Sequence, residues 1–315
     1  MEGVDVRLAR VTSIRKVAID ILRFELEPAD RRLFARFAPG AHIDVTTPGG
    51  PVRQYSLCGD PASTRRYAIA VKLEKDSRGG SASMHGWIEE GDSLAFSGPR
   101  NLFPLAPEGA SLLIAGGIGI TPIYAMAQAL AAARRPWELH YCARSREHAA
   151  FTSELAALPG GRVVPYFSEA PLLDARQLLG EVRAGTDIYC CGPAALMQAV
   201  KEAAAHWPAG RVHFEYFAAP QVAWPPNQPF ELELARQGTV LQVPRERSIL
   251  QVLRAHGVEV PSACEEGVCG TCETRVVAGD PEHRDVLLSD SEKAAGRTMM
   301  VCVSRSRSPR LVLDL

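Results

Sequence analysis

The chain has 315 residues, of which 46% are hydrophobic and 23% charged, as is usual for globular proteins of two or three domains. The formal net charge of −1 gives no global attraction to nucleic acid or to an anionic membrane, and no apolar run approaches the roughly 20 residues that span a bilayer. The N-terminus is polar and lacks a signal-peptide core, so we predict a cytoplasmic protein with no nucleic-acid or membrane partner. In a reducing compartment the eight cysteines need an explanation other than disulfides.

The first hundred residues are predicted to be all-β. Alternating β-branched and apolar residues, with turn signals between them, indicate strands over 4–14, 17–27, 41–47, 52–57, 67–73 and 94–97. One short helix is predicted over 82–88. Six short strands predict a small antiparallel β-barrel that occupies residues 1–106.

From residue 107 the pattern changes to strands that alternate with helices. The predicted strands are 111–115, 137–143, 163–167, 187–191 and 213–217, and the predicted helices are 123–133, 149–158, 174–179 and 194–206. This alternation predicts an α/β domain with a parallel sheet over 107–217. The next segment, 218–229, carries four prolines without periodicity and is predicted to be an interdomain linker.

A third domain is predicted over 230–315, with strands at 230–236 and 239–243 and a helix at 249–256 before a group of four cysteines. The spacing C-x4-C-x2-C, with a fourth cysteine thirty residues later, is that of plant-type [2Fe–2S] proteins. Gly267 and Gly270 would let backbone N–H groups approach the cluster. Zinc sites favour paired C-x2-C units, and only one such pair is present, so zinc or four unrelated thiols are the weaker alternatives. The predicted cluster ligands are Cys264, Cys269, Cys272 and Cys302.

The cysteine loop also carries a family resemblance. The stretch CEEGVCGTC at 264–272, with Gly-Asp at 279–280, His-Arg-Asp at 283–285 and Val-Cys-Val-Ser at 301–304, resembles the ferredoxin domain of the phthalate dioxygenase reductase family. This family includes the vanillate demethylase and phenoxybenzoate dioxygenase reductases. Its members consist of a flavin-binding barrel, a nicotinamide domain and a C-terminal β-grasp ferredoxin domain, so the resemblance covers nearly the whole chain.

Two motifs in the barrel are similar to the flavin site of the ferredoxin-reductase superfamily. In the R-x-Y-S motif at 53–56, Arg53 can bond a flavin phosphate, Tyr55 offers an aromatic wall, and Ser56 can lie near the flavin N5. The stretch SRGGSASMH at 77–85 places glycines and serines before a helix, which is the composition of a phosphate site and favours FMN over FAD. Further predicted FMN contacts are Val71, Lys72, Gly79, Gly80 and Ser81.

The nicotinamide motifs follow two predicted strands. The stretch AGGIGITP at 115–122 resembles the GGxGxTP loop that approaches a pyrophosphate, and Cys-Gly-Pro at 191–193 resembles the motif whose cysteine lies beside the nicotinamide. Arg144 could contact phosphate, and Phe217 matches the family aromatic that covers the flavin. The family favours NADH, although Ser145 with Arg146 leaves NADP open. The predicted nucleotide contacts are Gly117, Gly119, Thr121, Arg144, Cys191, Gly192 and Pro193.

The resemblance implies an NADH-dependent oxidoreductase that moves electrons through FMN to its own [2Fe–2S] cluster and on to a Rieske-type terminal oxygenase. That oxygenase would belong to an aromatic-acid dioxygenase or O-demethylase system. The residues implied in catalysis are Ser56, Cys191 and Phe217, and the chain is predicted to be a monomer. The alternatives are a reductase for a non-Rieske acceptor and a non-catalytic iron–sulfur redox sensor.

Overall fold

The computed structural model describes residues 6–30, 32–75, 77, 79–169, 172–219 and 222–315. It consists of two compact units, Met1–Glu215 and Tyr216–Leu315. The first two residues of the predicted strand 4–14, Arg78 of the predicted phosphate loop, and residues 220–221 of the predicted linker lie outside the described residues. Within the described ranges, no helix has the length and apolar character that crossing a bilayer requires.

The first unit begins with a six-stranded antiparallel sheet in the order β4-β3-β6-β1-β2-β5. A single antiparallel bridge between Leu57 and Ile69 joins its two edges, so the sheet closes into the predicted barrel. The strands are β1 (Arg7–Ala18), β2 (Ile21–Pro28), β3 (Ala41–Thr46), β4 (Val52–Ser56), β5 (Tyr67–Lys72) and β6 (Ser93–Asn101).

The first hairpin turn was predicted at the wrong position. The charged pair Arg15 and Lys16 was interpreted as the turn, but these residues remain in β1 and pair with Arg23 and Leu22 of β2. The chain turns at Ile19 and Asp20 instead. Arg15 and Lys16 are both exposed, and the pairing of β1 with β2 shifts register directly after Lys16.

One helix, α1 (Gly80–Gly86), lies between β5 and β6 and begins two residues earlier than predicted. Gly79 precedes it with φ +90°, a left-handed conformation that only glycine adopts without strain, so the loop can turn abruptly into the helix. Met84 of α1 is fully buried in the barrel core. The N-terminus of α1 is thereby fixed against the barrel.

The second part of this unit is a five-stranded parallel sheet in the order β11-β10-β7-β8-β9. The strand order reverses between β7 and β10, and ligands of such sheets bind in the crevice at the carboxyl ends of these two strands. Short 3₁₀ turns occupy Gly117–Gly119 and Arg146–His148. The strands are β7 (Ala110–Gly116), β8 (Trp137–Ala143), β9 (Gly161–Phe167), β10 (Thr186–Cys191) and β11 (Val212–Glu215), and the helices are α2 (Ile120–Ala132), α3 (Thr152–Ala156), α4 (Ala175–Leu179) and α5 (Ala194–Ala203).

Helix α2 joins the barrel to the parallel sheet. It is apolar on nearly every side, and Ile123 and Tyr124 share one hydrophobic core with Ile21 and Cys58 of the barrel part. Gln128 also donates to the carbonyls of Cys58 and Gly59, at 3.4 Å each. The two regions predicted as separate domains therefore form one compact unit.

The second unit has a five-stranded sheet in the order β13-β12-β18-β14-β16, in which only β12 and β18 run parallel. Helix α6 begins at Ser248 with a capping box and packs its apolar face on this sheet, which is the expected β-grasp arrangement. The elements are β12 (Phe230–Leu234), β13 (Thr239–Val243), α6 (Ile249–Ala255), β14 (Glu273–Ala278), β15 (Pro281–Glu282), α7 (Asp290–Ala295), β16 (Thr298–Met300), β17 (Arg305–Ser306) and β18 (Arg310–Leu313).

The last part of the predicted linker packs on the second unit. Arg284 donates to Asn227 Oδ1 at 2.9 Å, and its guanidinium lies 5.1 Å from the ring centroid of Trp224. Arg305 donates to the Gln228 carbonyl at 3.1 Å. Residues 224–228 are therefore part of the ferredoxin-like unit and do not act as a free spacer.

Arg305 provides a test of how this unit is held together. Its buried guanidinium donates to the carbonyls of Arg247 (2.8 Å), Pro244 (3.0 Å) and Gln228 (3.1 Å). We expect Arg305→Ala to lower the free energy of unfolding by about 3 kcal/mol, because three carbonyls lose a charged donor that is itself buried. Urea unfolding, followed by the near-UV and visible circular dichroism of the second unit, measures this change.

The matched control is Arg307→Ala. Arg307 is exposed and makes only a 3.5 Å ion pair with Asp280, so this change should cost less than about 1 kcal/mol. Equal losses in the two variants would contradict the role assigned to Arg305.

Candidate functional site

Ser56 ends β4 with a buried hydroxyl that has no hydrogen-bond partner in the described protein. It pairs across the sheet with His42 of β3, whose pKa is lowered to about 4, first by burial and then by the Arg100 charge. His42 is therefore neutral near pH 7, and its Nε2 lies 3.1 Å from the Gln54 amide nitrogen. A buried hydroxyl without a partner is costly, and a ligand atom that accepts or donates a hydrogen bond there would remove the cost. This environment fits the N5 edge of a flavin.

Arg53 and Tyr55 extend to the opposite face of β4. A Cβ added to Gly80 would lie 2.9 Å from Arg53 Cγ and 3.1 Å from Arg53 Nε, so the Arg53 side chain passes directly over the first residue of α1. Burial raises the pKa of Tyr55 to about 12 and keeps the phenol protonated. A guanidinium beside the free N–H groups at the start of a helix fits a phosphate, and Gly79 and Gly80 place no side chain in its way.

The side chains of Val71, Lys72 and Ser81 are engaged within the protein. The Ser81 hydroxyl accepts the Glu74 N–H at 3.2 Å and bonds the Ser77 hydroxyl at 3.1 Å, which closes the loop before α1. Lys72 forms a 2.7 Å ion pair with Glu74. Val71 is buried in the barrel core, and its carbonyl lies 2.8 Å from Nε2 of His85, a residue that the sequence interpretation did not single out. These groups hold the predicted phosphate loop through contacts within the protein.

The two glycine loops at the carboxyl ends of β7 and β10 touch backbone to backbone. A Cβ on Gly119 would lie 2.2 Å from the Cys191 carbonyl oxygen, and one on Gly192 would lie 2.9 Å from the Gly116 nitrogen. Gly117, by contrast, has φ +53° and open space where a Cβ would be. Gly119 and Gly192 are thus required for the contact between the loops, and Gly117 leaves room for a phosphate group.

Thr121 and Pro193 start the helices that follow these loops. The buried Thr121 hydroxyl donates to the Ile118 carbonyl at 3.0 Å and closes the first turn of α2. Pro193 caps α5, and a Cβ on Gly116 would lie 2.5 Å from its Cδ. Both residues therefore shape the crevice between β7 and β10. Their own side chains do not direct an unbonded polar group into it.

Cys191 and Glu215 are paired at the carboxyl ends of β10 and β11. The thiol of Cys191 is fully buried, and its pKa is raised well above the usual value, first by burial and then by Glu215. Glu215 is half-buried: its Oε2 is buried without a partner in the described protein, and desolvation raises its pKa to about 8. The sequence interpretation missed Glu215, although an acidic residue within the strand HFEYF, two positions before Phe217, is a usable signal. Near neutral pH this pair is an uncharged thiol beside a protonated carboxyl group.

The predicted phosphate contact Arg144 is bound to the barrel part. Its guanidinium donates to Asp20 Oδ2 at 2.9 Å, although its side chain is otherwise 61% exposed. Beyond it, Ser145 donates to a carboxylate oxygen of Glu147 at 2.6 Å. An acidic side chain therefore follows β8, the strand whose end holds the adenosine ribose in such folds. The predicted aromatic cover, Phe217, belongs to the second unit, is 43% exposed, and keeps its role as a prediction.

The four predicted ligand cysteines form two pairs of free thiols in the second unit. Cys264 is hydrogen-bonded to Cys269, and Cys272 is hydrogen-bonded to Cys302. The bond from Cys264 lowers the pKa of Cys269 to about 5, whereas that bond and burial raise the pKa of Cys264. Within the described part of the chain, no three or more ligand side chains surround one point, as a mononuclear site would require. Two thiol pairs are the arrangement that two irons require.

Backbone N–H groups of the loop already face these sulfurs. The Glu266 N–H donates to Cys264 Sγ at 3.3 Å, and Thr271 Oγ1 lies 3.3 Å from Cys269 Sγ. Gly267 and Gly270 have φ +71° and +73°, a conformation in which other residues are strained. The donor set and the loop geometry both fit a [2Fe–2S] cluster.

Comparisons with known proteins give matches over the whole chain. Residues 232–307 match the 2Fe-2S iron-sulfur cluster binding domain family, and residues 100–209 match the dimethylamine monooxygenase subunit DmmA-like N-terminal domain. Vanillate O-demethylase oxidoreductase from Pseudomonas putida is 47% identical over 315 residues, which are 98% of this chain and 99% of that protein. The solved structure of phthalate dioxygenase reductase, a modular structure for electron transfer from pyridine nucleotides to [2Fe-2S], is 41% identical, with a TM-score of 0.75 over 98% of both chains. An intact type IV self-sufficient cytochrome P450 monooxygenase is 39% identical, with a TM-score of 0.88 over 98% of this chain and 41% of that chain.

Glu215 generates a prediction about pH and stability. Its pKa is about 8 in the folded chain and about 4.3 when unfolded, so its stabilising contribution is fully present below the unfolded pKa and is lost as pH rises through 8. Glu215→Gln removes this loss. We expect the difference in unfolding free energy, variant minus wild type, to increase by about 2 to 3 kcal/mol between pH 6 and pH 9.

Urea unfolding at both pH values measures this difference. Glu154→Gln, at a partly exposed position of α3, is the control and should follow the wild type. A Glu215→Gln profile parallel to that of the wild type would contradict a protonated carboxyl group at this position.

Proposed function

Because the chain belongs to the phthalate dioxygenase reductase family, we propose that it takes electrons from NADH through FMN to its own [2Fe–2S] cluster and delivers them to a terminal oxygenase. The observation that carries this proposal is the set of four paired thiols in a loop of backbone N–H donors, within a chain matched over 98% of its length by a reductase of this kind. The chain is accordingly an oxidoreductase that serves electron transfer.

The proposed division of labour follows the predicted domains. Residues 1–106 would bind FMN, 107–217 would bind NADH, 218–229 would connect the two units, and 230–315 would hold the cluster. The closed barrel, the parallel sheet and the β-grasp sheet support this division. The core shared through α2 places the proposed FMN and NADH parts in one compact unit.

At the flavin, Arg53 and the backbone at Gly79 and Gly80 would hold the phosphate, and a single phosphate at this position favours FMN over FAD. Tyr55 would form a wall of the ring site, and the unpartnered hydroxyl of Ser56 would bond the ring at N5. FMN, when bound, supplies the conversion between the two-electron hydride of NADH and the single electrons that a cluster accepts.

At the nicotinamide, the loops at Gly117 and Gly192 would bind the pyrophosphate and leave Cys191 and Glu215 to face the ring. These two groups would be neutral, so they would orient the carboxamide and exclude water without adding charge. Phe217 is proposed to cover the flavin face when nicotinamide is absent.

Preference for NADH is proposed from the charge that follows β8. The Glu147 carboxylate would repel a 2′-phosphate, and the ion pair with Asp20 draws Arg144 away from binding one. Ser145 is occupied by the same carboxylate, which disfavours the NADP alternative.

The acceptor is proposed to be a Rieske-type oxygenase of an aromatic-acid dioxygenase or O-demethylase system, because the vanillate and phthalate reductases are full-length relatives. A cytochrome P450 acceptor is the second candidate, and the likeness to part of a self-sufficient P450 supports it. Reduction assays with a purified Rieske oxygenase and a purified P450 separate the two.

Location and oligomeric state are proposed as well. All eight cysteines are free thiols, which supports a cytoplasmic location, and we propose a monomer.

The test of the proposed function is an absorption spectrum with extraction of the flavin, followed by NADH oxidation with cytochrome c as acceptor. We expect FMN, a [2Fe–2S] spectrum and turnover. Flavin and cluster without turnover would favour a redox sensor, and a colourless folded protein with zinc on its thiols would end the proposal.

Cys272→Ser tests the order of electron transfer. We expect reduction of cytochrome c to fall at least tenfold, because the second thiol pair can no longer hold iron, while NADH-dependent reduction of ferricyanide by the flavin continues. Stopped-flow absorbance of both reactions measures this. Cys142→Ser changes a thiol far in sequence from the cluster loop and should retain both activities. Loss of flavin reduction in a folded Cys272→Ser variant would contradict the proposed order.

A further inference from the structure

The segment His283-Arg284-Asp285 has no role in the proposed electron path, yet it packs against the cluster loop. Asp285 is 4% exposed, and its Oδ2 accepts the N–H groups of Leu287 (3.2 Å) and Leu288 (2.9 Å). A carboxylate that accepts two successive backbone N–H groups fixes the local path of the chain.

His283 does not hold this carboxylate. Its Nδ1 lies 3.7 Å from Asp285 Oδ1, which is too long for a hydrogen bond. Neither ring nitrogen of His283 has a hydrogen-bond partner in the described protein, nor has Asp285 Oδ1. The position of Asp285 is therefore set through Oδ2 and through its main chain.

The main chain at Asp285 connects two parts of the unit. Lys293 of α7 donates from Nζ to the Asp285 carbonyl at 2.7 Å, and the N–H of Val286 donates to the Gly267 carbonyl at 3.2 Å. Gly267 is tightly enclosed, since a Cβ there would lie 2.7 Å from Val303 Cγ2 and 3.1 Å from Asp285 Cα. Gly267 is thus packed between the Asp285 turn on one side and Val303, the residue after Cys302, on the other.

The N–H of Gly267 belongs to the preceding peptide group and donates to the sulfur of Cys302, one of the four predicted ligands. Hydrogen bonds to the sulfurs stabilise the more negative, reduced form of a cluster and raise its potential.

We propose that Asp285 is a positioning residue for electron output: it holds Gly267 in place so that the Gly267 N–H meets the Cys302 sulfur, and it thereby raises the cluster potential. This inference rests on the proposed cluster. Asp285 acts on the cluster in two ways, because its charge disfavours reduction whereas its grip on Gly267 favours it.

Two substitutions separate these effects. Asp285→Asn and Asp285→Ala both remove the charge, but the asparagine oxygen can still accept the two N–H bonds and alanine cannot. We therefore expect the cluster of Asp285→Ala to have a lower midpoint potential than that of Asp285→Asn. The expected difference is at least tenfold in the equilibrium constant for cluster reduction, or about 59 mV for one electron.

The experiment is a spectroelectrochemical titration of the full-length holoprotein, with the cluster followed by EPR. Resonance Raman spectra in H₂O and D₂O provide a second readout, because Asp285→Ala should lose part of the deuterium shift of the Fe–S(Cys) bands. Asp290→Asn, the same chemical change at an exposed position of α7, is the control and should match the wild type. Equal potentials and equal deuterium shifts in Asp285→Asn and Asp285→Ala would overturn the inference.

If Asp285→Ala does not retain iron, Asp285→Ser replaces it, because a serine hydroxyl can accept one of the two N–H bonds. Its potential should fall below that of Asp285→Asn, and equality would again overturn the inference. A wild-type protein without a cluster would refute the proposed function, whereas a normal cluster with variant potentials that do not differ refutes only the role of Asp285.

Discussion

Four thiols, three from the loop 264–272 and the fourth from Cys302, form two close pairs and would repel one another if they ionised. The second unit is organised around this repulsion. Backbone donors of the loop offset this repulsion: the N–H of Glu266 faces Cys264, and the N–H of Gly267 faces Cys302. These donors are available because Gly267 and Gly270 have positive φ angles and leave their peptides outside any strand. The β-grasp sheet, α6 and the Asp285 turn hold a loop that would otherwise be unfavourable.

The candidate site of the first unit differs from the thiol loop in its charge. Its candidate site is built from groups that are uncharged near pH 7: the Ser56 hydroxyl, the neutral imidazole of His42, the Cys191 thiol and the protonated Glu215. Burial lowers the pKa of His42 and raises the pKa of Cys191 and Glu215, since desolvation disfavours the charged form. Arg53 lies at the predicted phosphate loop, whereas the other two cations near this site are ion-paired, Arg100 with Asp44 and Lys72 with Glu74.

Much of this could be predicted from the sequence, and the failures have physical causes. The strands at Trp137–Ala143 and Thr239–Val243 agree with prediction residue for residue, because periodicity and flanking turns determine them locally. The four cysteines that the spacing predicts as ligands are those that the structure brings together in two pairs. The shared core through α2, the role of Glu215 and the short strands β14 to β18 depend on contacts between distant residues, which local patterns do not encode. The sequence did not locate the turn at Ile19, because exposed charged residues such as Arg15 and Lys16 occur both in strands and in turns.

The two candidate sites differ because the first would handle a hydride and the second would handle electrons alone. Hydride chemistry moves protons together with electrons, and Glu215, with a pKa near 8 and an unpartnered oxygen, lies beside Cys191 where a proton can be held. The thiol loop is built from sulfurs and amide donors, and it stabilises added negative charge by hydrogen bonds rather than by taking up a proton. Such an arrangement would keep protons in the first unit and let electrons alone leave through the second. It also explains why one chain combines a site of neutral groups with a site of thiols and amide donors, in two separate hydrophobic cores.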